Sequence, residues 1–98
     1  MLDFEAVNTA AMAALPVLLR RWLPQGEIQG CEYVALNPTR RDSRPGSFKI
    51  NMRTGVWSDF ATGDAGGDVI SLAAYLARCS QSEAAHNLAR MLGVAHDR

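Results

Sequence analysis

Hydrophobic and polar positions along the chain fall into three regimes. From Asp3 to Leu23 the apolar residues Phe4, Val7, Met12, Leu15, Leu18, Leu19 and Trp22 recur at three- and four-residue steps, the period of an amphipathic helix. Asp3 is placed to cap its N-terminus. Pro16 interrupts the pattern, because a proline inside a helix removes a hydrogen bond and clashes with the preceding turn. The segment is therefore expected to kink or break there, with Pro16 opening a second helix, and to end at Pro24.

The middle regime has period two. Residues 27–36 read as one strand, with Ile28, Val34 and Leu36 on one face and Cys31, Tyr33 and Ala35 on the other. Asn37-Pro38-Thr39 breaks it, and a polar, charged stretch to Gly46 reads as an exposed loop. Phe48, Ile50 and Met52 then alternate with Ser47, Lys49 and Asn51. Val56, Ser58 and Phe60 alternate with Trp57 and Asp59. Arg53-Thr54-Gly55 between them reads as a three-residue hairpin loop, with glycine where a positive φ is required. On this register Phe48, Ile50, Val56 and Phe60 share one face and Lys49, Asn51 and Trp57 the other.

The last third returns to helical spacing. Asp68 caps a helix running to Cys79 with Val69, Leu72, Ala73 and Leu76 as its buried stripe. Ser80 and Glu83 form a capping box for a final helix whose apolar side carries Leu88, Met91 and Leu92, and Gly93 stops it. The fold class is α+β: a helical segment over 1–23, a ribbon-like antiparallel β region over 27–62 and a helical pair over 68–93, in one domain spanning 1–98.

Composition narrows the function classes. Of 98 residues, 48% are hydrophobic and 20% charged, the balance of an ordinary globular domain. No apolar run reaches the roughly 18 residues of a membrane span. Arg20 and Arg21 follow the apolar stretch 10–19 rather than precede it, the wrong order for a secretory signal, so the expected location is cytoplasmic. Cys31 and Cys79 offer no C-x-x-C pair and are expected as free, partly buried thiols. Net charge is zero, but Arg40, Arg41, Arg44, Lys49 and Arg53 gather within fourteen residues against one acid, Asp42.

Catalytic patterns are lacking. The glycine-rich stretch 63–67 opens a helix, yet no Lys-Ser/Thr follows and Asp64 and Asp68 would repel a phosphate, so it reads as a turn into a capped helix. Asp59, Asp64 and Asp68 lack the positioned cluster that hard-metal catalysis needs. His86 and His96 have no nucleophile or acid beside them in sequence and read as surface residues. No cofactor and no small-molecule substrate is expected.

An ordered series of short motifs runs from Leu23 to Gly93. It comprises Leu23-Pro24, Gly30-Cys31-Glu32-Tyr33-Val34-Ala35-Leu36, Arg44-Pro45-Gly46-Ser47-Phe48, the hairpin, Gly63-Asp64-Ala65-Gly66-Gly67-Asp68-Val69-Ile70-Ser71-Leu72, and Ser82-Glu83-Ala84-Ala85 with Leu88-Ala89. In order and spacing this resembles the N-terminal zinc-binding domain of bacterial and phage DNA primases and primase–helicases, over about three-quarters of the chain. The resemblance breaks at the metal. Where the family carries C-P-x-H and C-x-x-C, this chain has Asn37-Pro38-Thr39-Arg40, then Asp59 and Thr62. These four positions, Asn37, Arg40, Asp59 and Thr62, form no credible zinc donor set. Arg40 is expected to pair with Asp59 across the old site.

The resemblance implies a non-enzymatic module of a replication protein of phage or mobile-element type that binds single-stranded or template DNA. Arg40, Arg41, Arg44, Lys49, Arg53 and Trp57 are the candidate contacts. Trp57 has two placements open to it: stacking on bases beside the cations, or packing beneath the N-terminal helix. The rival reading is a zinc-free protein-interaction module that docks on a polymerase or helicase domain through an apolar surface including Leu18, Leu19 and Trp22.

Overall fold

The computed structural model describes residues 2–94. Asp3 caps α1 (Phe4–Ala13), its carboxylate accepting from the Glu5 and Ala6 amides. α2 (Leu15–Trp22) follows directly with Pro16 in its first turn, so the proline breaks the segment where its missing N–H costs nothing. Five short strands come next: β1 (Glu27–Gln29), β2 (Glu32–Ala35), β3 (Phe48–Asn51), β4 (Trp57–Asp59) and β5 (Asp64–Gly66). They form one antiparallel meander in sequence order. α3 (Val69–Ala77) and α4 (Gln81–Leu92) close the chain. The α+β architecture is as expected.

Helix ends follow the side-chain chemistry. Asp68 and Ser71 cap α3 reciprocally. α3 stops short of Cys79, at Arg78, which takes the left-handed conformation with φ 55°. Its buried residues are Val69, Ile70, Leu72 and Ala74, so the stripe is rotated from the expected Val69, Leu72, Ala73 and Leu76. Ser80 caps α4 through the Glu83 amide, and Gly93 ends it at φ 74°.

The β region departs from the alternation pattern in three places. Residues 27–36 are two strands, because Gly30 at φ 63° lets Gly30-Cys31 form a two-residue turn that pairs Gln29 with Glu32. Ile28 and Tyr33 thus become cross-strand partners. Residues 64–66, read as part of a turn, form β5 and pair with β4. The central hairpin has a four-residue loop, 52–55. Asn51 Oδ1 accepts from the Arg53 and Thr54 amides, and the Gly55 amide donates to Asn51 O at 2.8 Å. That single extra residue pairs Ile50 with Trp57 and Phe48 with Asp59. A one-residue change of register sends every side chain of a strand to the opposite face. Trp57 and Asp59 consequently turn inward, while Val56 and Phe60 turn outward.

The helices cover one face of the sheet. Tyr33, Ala35, Phe48, Ile50 and Trp57 meet Leu15, Leu19, Ile70, Leu72 and Leu88 in one core. Full burial of such side chains stabilises the fold by about 1.5–3 kcal/mol each. Trp57 stacks at a tilt on Tyr75 of α3 with centroids 4.5 Å apart, and Phe48 meets its ring edge-on at 6.3 Å. The indole N–H donates to Ser71 Oγ at 2.9 Å, so the polar handle of the buried ring is satisfied. Leu18 and Leu19 lie inside this core and are not a partner surface. Cys31 is exposed and Cys79 half-buried, both as free thiols. His86 is exposed on α4; His96 lies outside the described residues. Among the described residues no helix is long and apolar enough to cross a membrane.

Gly66 sits where Trp57 and Ser71 meet. A Cβ there would lie 2.4 Å from both Trp57 Nε1 and Ser71 Oγ. Gly66→Ala is expected to lower stability by about 1–3 kcal/mol in urea titrations. Gly67→Ala, which meets nothing within 4 Å, should stay within about 0.5 kcal/mol.

Candidate functional site

Two short turns face one another beneath the sheet, and they are built alike. In each, the first residue's side-chain oxygen accepts the amide two residues on: Asn37 Oδ1 from Thr39 N, and Asp59 Oδ1 from Ala61 N, both at 2.9 Å. In each, the first residue's carbonyl accepts from the fourth: Asn37 O from Arg40 N at 3.4 Å, and Asp59 O from Thr62 N at 3.3 Å. Asn and Asp are the residues that make such turns locally.

Across the gap the two turns are joined. Arg40 Nε donates to Asp59 Oδ2 at 2.8 Å and Arg40 Nη2 to Asp59 Oδ1 at 3.3 Å, a forked ion pair. Asn37 Nδ2 donates to Asp59 Oδ2 at 2.7 Å and to the Tyr75 hydroxyl at 2.8 Å. Tyr75, reaching in from α3, donates in turn to Asp64 Oδ2 at 2.7 Å. Asp59, fully buried, thus receives four donors, two on each oxygen, which fills the acceptor capacity of a carboxylate. No buried side-chain polar atom among the described residues lacks a partner.

Electrostatics follow the geometry. The Arg40 hydrogen bond holds the Asp59 carboxyl well below the usual carboxylate range, against burial, which pushes the other way; the Asn37 and Ala61 donors add to the lowering. Arg40 is raised in turn, chiefly by the same bond to Asp59. Its Nη2 also donates to Ser47 Oγ at 2.9 Å and lies 3.3 Å from Asp42 Oδ2. The expected Arg40–Asp59 pair is therefore present. The Arg40 guanidinium is thus turned inward and engaged by three partners, Asp59, Ser47 and Asp42.

The remaining candidates separate. Lys49, half-buried, lies mid-sheet on the face opposite Phe48 and Ile50, paired across to Ser58 and to Val34, which is itself buried there. Arg41 and Arg44 are exposed on the loop entering β3, at one end of that strand. Arg53 is exposed in the β3–β4 loop at the other end, its Nη1 3.8 Å from Cys31 Sγ. These cations run in sequence from the loop before β3, through the strand, to the loop after it. Of the two placements open to Trp57 the ring takes the buried one: it is 4% exposed in the core, and the shifted register removes it from the Lys49 face. Phe60 takes its place as the open aromatic, 75% exposed just past β4. Sequence reasoning passed over Phe60 because a phenylalanine alternating with Phe48 and Ile50 reads as core. It also passed over Tyr75, whose phenol on the largely apolar α3 signalled a polar partner below.

No family model matches the chain, and no curated protein matches it. Among solved structures it is similar to part of the crystal structure of the Aquifex aeolicus primase, which comprises zinc binding and RNA polymerase domains. The TM-score is 0.79 with 23% identity, over 99% of this chain and 23% of that one. The fold is primase-like. The side chains here do not fit a zinc ion. A tetrahedral site wants four thiolates or imidazoles, whereas the two turns offer an amide, a guanidinium, one carboxylate and a threonine hydroxyl, with the cation of Arg40 already on the carboxylate. Among the described residues no group of three or more His, Cys, Asp or Glu could hold a metal.

A carboxyl held low when folded stabilises the fold fully above its unfolded value of about 3.9, and that contribution fades as pH falls below it. Asp59→Asn should therefore be less stable than the parent at pH 7 and lose less on acidification from about pH 4 to pH 2, read as urea midpoints. Among arginine-to-alanine changes, Arg40→Ala should be the most destabilising, and Arg40→Lys should rescue it only in part because the fork is lost. Exchanging the charges, Arg40→Asp with Asp59→Arg, should recover less than the pair alone implies, since Asn37 Nδ2 and Ala61 N would then face a cation.

Proposed function

We propose that this chain is a non-catalytic, metal-free primase-type module of a DNA-replication protein that holds single-stranded or template DNA on the open face of its sheet. The observation that carries this reading is the primase-like fold over nearly the whole chain. Support comes from the surface. Lys49 lies between Arg41 and Arg44 at one end of β3 and Arg53 at the other, and Phe60 stands exposed beside them. Cations that track phosphates beside an aromatic that accepts a base are the means by which single strands are held without sequence readout. Glu27 and Glu32 occupy the β1–β2 side of that face, so the strand would run along β3 and β4.

On this reading the paired turns are a former zinc site in which Asn37, Arg40, Asp59 and Thr62 replace the ligands. Ribbon-type zinc sites draw folding free energy from the metal; the Arg40–Asp59–Asn37–Tyr75 cluster supplies that linkage here. On this reading the polymerising chemistry belongs to a separate domain.

Two experiments bear on this. Amide NMR shifts on titration with a short single-stranded DNA should cluster on Arg41, Arg44, Lys49, Arg53 and Phe60 and fade with salt. The log–log salt slope should be roughly −2 to −3 for three or four phosphate contacts. Phe60→Ala should weaken binding by about 1–3 kcal/mol, whereas Arg40→Lys should leave the slope unchanged. No shift at low salt sinks the DNA reading. Separately, the combined change Asn37→Cys, Arg40→His, Asp59→Cys and Thr62→Cys should create a tetrahedral site that binds Co²⁺ with thiolate charge-transfer bands and gains thermal stability with Zn²⁺. A folded variant that takes neither metal would end the former-zinc-site reading.

A further inference from the structure

The helical side of the molecule carries a trough that neither the core nor the sheet face uses. Its main section, a groove of about 420 Å³, lies between α3 and α4 and is lined by Leu76, Ala84, Leu88 and Met91 among others. A second groove of about 290 Å³ runs on past Leu23 and Gly26 toward Asn37. Trp22 and Pro38 line both, so the two form one continuous depression. Met91 is half exposed at its lip and Trp22 half-buried at its waist.

The two sections differ in charge: the second is lined by the ion-paired Arg40 and Asp42. No charged side chain lines the α3–α4 section, and Asn87 is its one side chain with a hydrogen-bonding amide or hydroxyl. Cations border it. The Arg90 guanidinium donates to Asn87 Oδ1. Arg78 donates to the Thr39 carbonyl, next to Pro38. The acid nearest in sequence to a lining residue of this section is Glu83, beside Ala84.

We propose that this trough docks an amphipathic helix whose apolar stripe fills the α3–α4 groove and whose flanks are acidic. Helices bind apolar grooves through anchors at i, i+3 or i+4 and i+7, and flexible Met side chains adapt to them. The bordering arginines select acidic flanks over basic ones and raise the rate of encounter. Lys49, Arg53 and Phe60 do not line either groove, so helix docking and DNA binding use separate surfaces. The inference stands apart from the DNA-binding reading.

The probe is a synthetic helix of about 18 residues, long enough to hold its fold, with leucines at i, i+4, i+7 and i+11 and glutamates on its other faces. A twin carries lysines instead. With the 98-residue chain, the acidic peptide should shift the Trp22 indole N–H and the Met91 methyl and bind about tenfold or more tighter than the twin. Met91→Glu and Ala77→Glu, both at exposed positions, should each weaken it about tenfold, one unpaired like charge being worth about that much. Equal binding of the twins, shifts confined to other surfaces, or wild-type affinity in both variants would overturn the proposal. So would concentration-dependent self-association of the chain through Trp22 and Met91, which would make a second copy the occupant. Met91→Glu should leave the DNA titration unaltered, so either reading can fail without the other.

Discussion

The arrangement rests on one buried carboxylate. Asp59 is drawn from water and stays ionised because four donors converge on it from three directions: its own turn through Ala61, the facing turn through Asn37, and the Arg40 fork. A buried charge missing a partner is far more costly than one with all of them. The arrangement is therefore close to all-or-none. Removing any donor leaves a desolvated lone pair, and the two turns lose the reason to face each other. Tyr75 extends the constraint to α3, and Asp64 to the last strand, so the β2–β3 loop, the sheet's far edge and the helical layer are all fixed by one side-chain network.

Much of this was legible in the sequence, and the failures have physical causes. Both breaks in helical pattern, at Pro16 and at Ser80, declared themselves through residues with strong backbone preferences. The Arg40–Asp59 pair could be anticipated once the motif series was aligned, because two opposite charges then occupied facing positions. Hairpin register could not be read the same way. A loop of three residues ending in Gly55 and one of four differ only in whether Asn51 turns its side chain to cap the Arg53 and Thr54 amides, a choice that alternation does not encode. That one-residue difference exchanged Trp57 for Phe60 on the open face. The Gly30 turn was hidden for a similar reason: Ile28, Val34 and Leu36 keep period two straight through it, whereas the turn in fact pairs Ile28 with Tyr33 and so moves it to the other face.

The misplaced candidates show how charge counts mislead on a small domain. Five cations within fourteen residues look like a patch, but the fold sends Arg40 inward and spreads the others along β3. What remains is a line with one aromatic near one end. An extended polyanion suits a line better than it suits a cluster, since successive phosphates are themselves strung out. The same reasoning separates the helical side, where the arginines border an apolar trough instead of standing on a polar sheet and so favour a different kind of partner.

If the paired turns are a former zinc site, as proposed, then an amide, a guanidinium and a carboxylate in place of metal ligands change what the domain is vulnerable to. A thiolate site depends on metal supply, on reduced sulfur and on ligand deprotonation. The Asp59 cluster needs neither metal nor reducing conditions, and its donors and acceptors come folded into the chain. Its weakness lies in stringency. Zinc tolerates variation around it because the ion holds four ligands at fixed distances, whereas this cluster holds only while each of its hydrogen bonds keeps its length. The neighbours that fix those lengths, the Phe48–Trp57–Tyr75 ring contacts and the close approach at Gly66, are then as much a part of the linkage as Arg40 and Asp59. This accounts for the burial of Trp57: its ring holds Tyr75 in place, and Tyr75 holds Asn37.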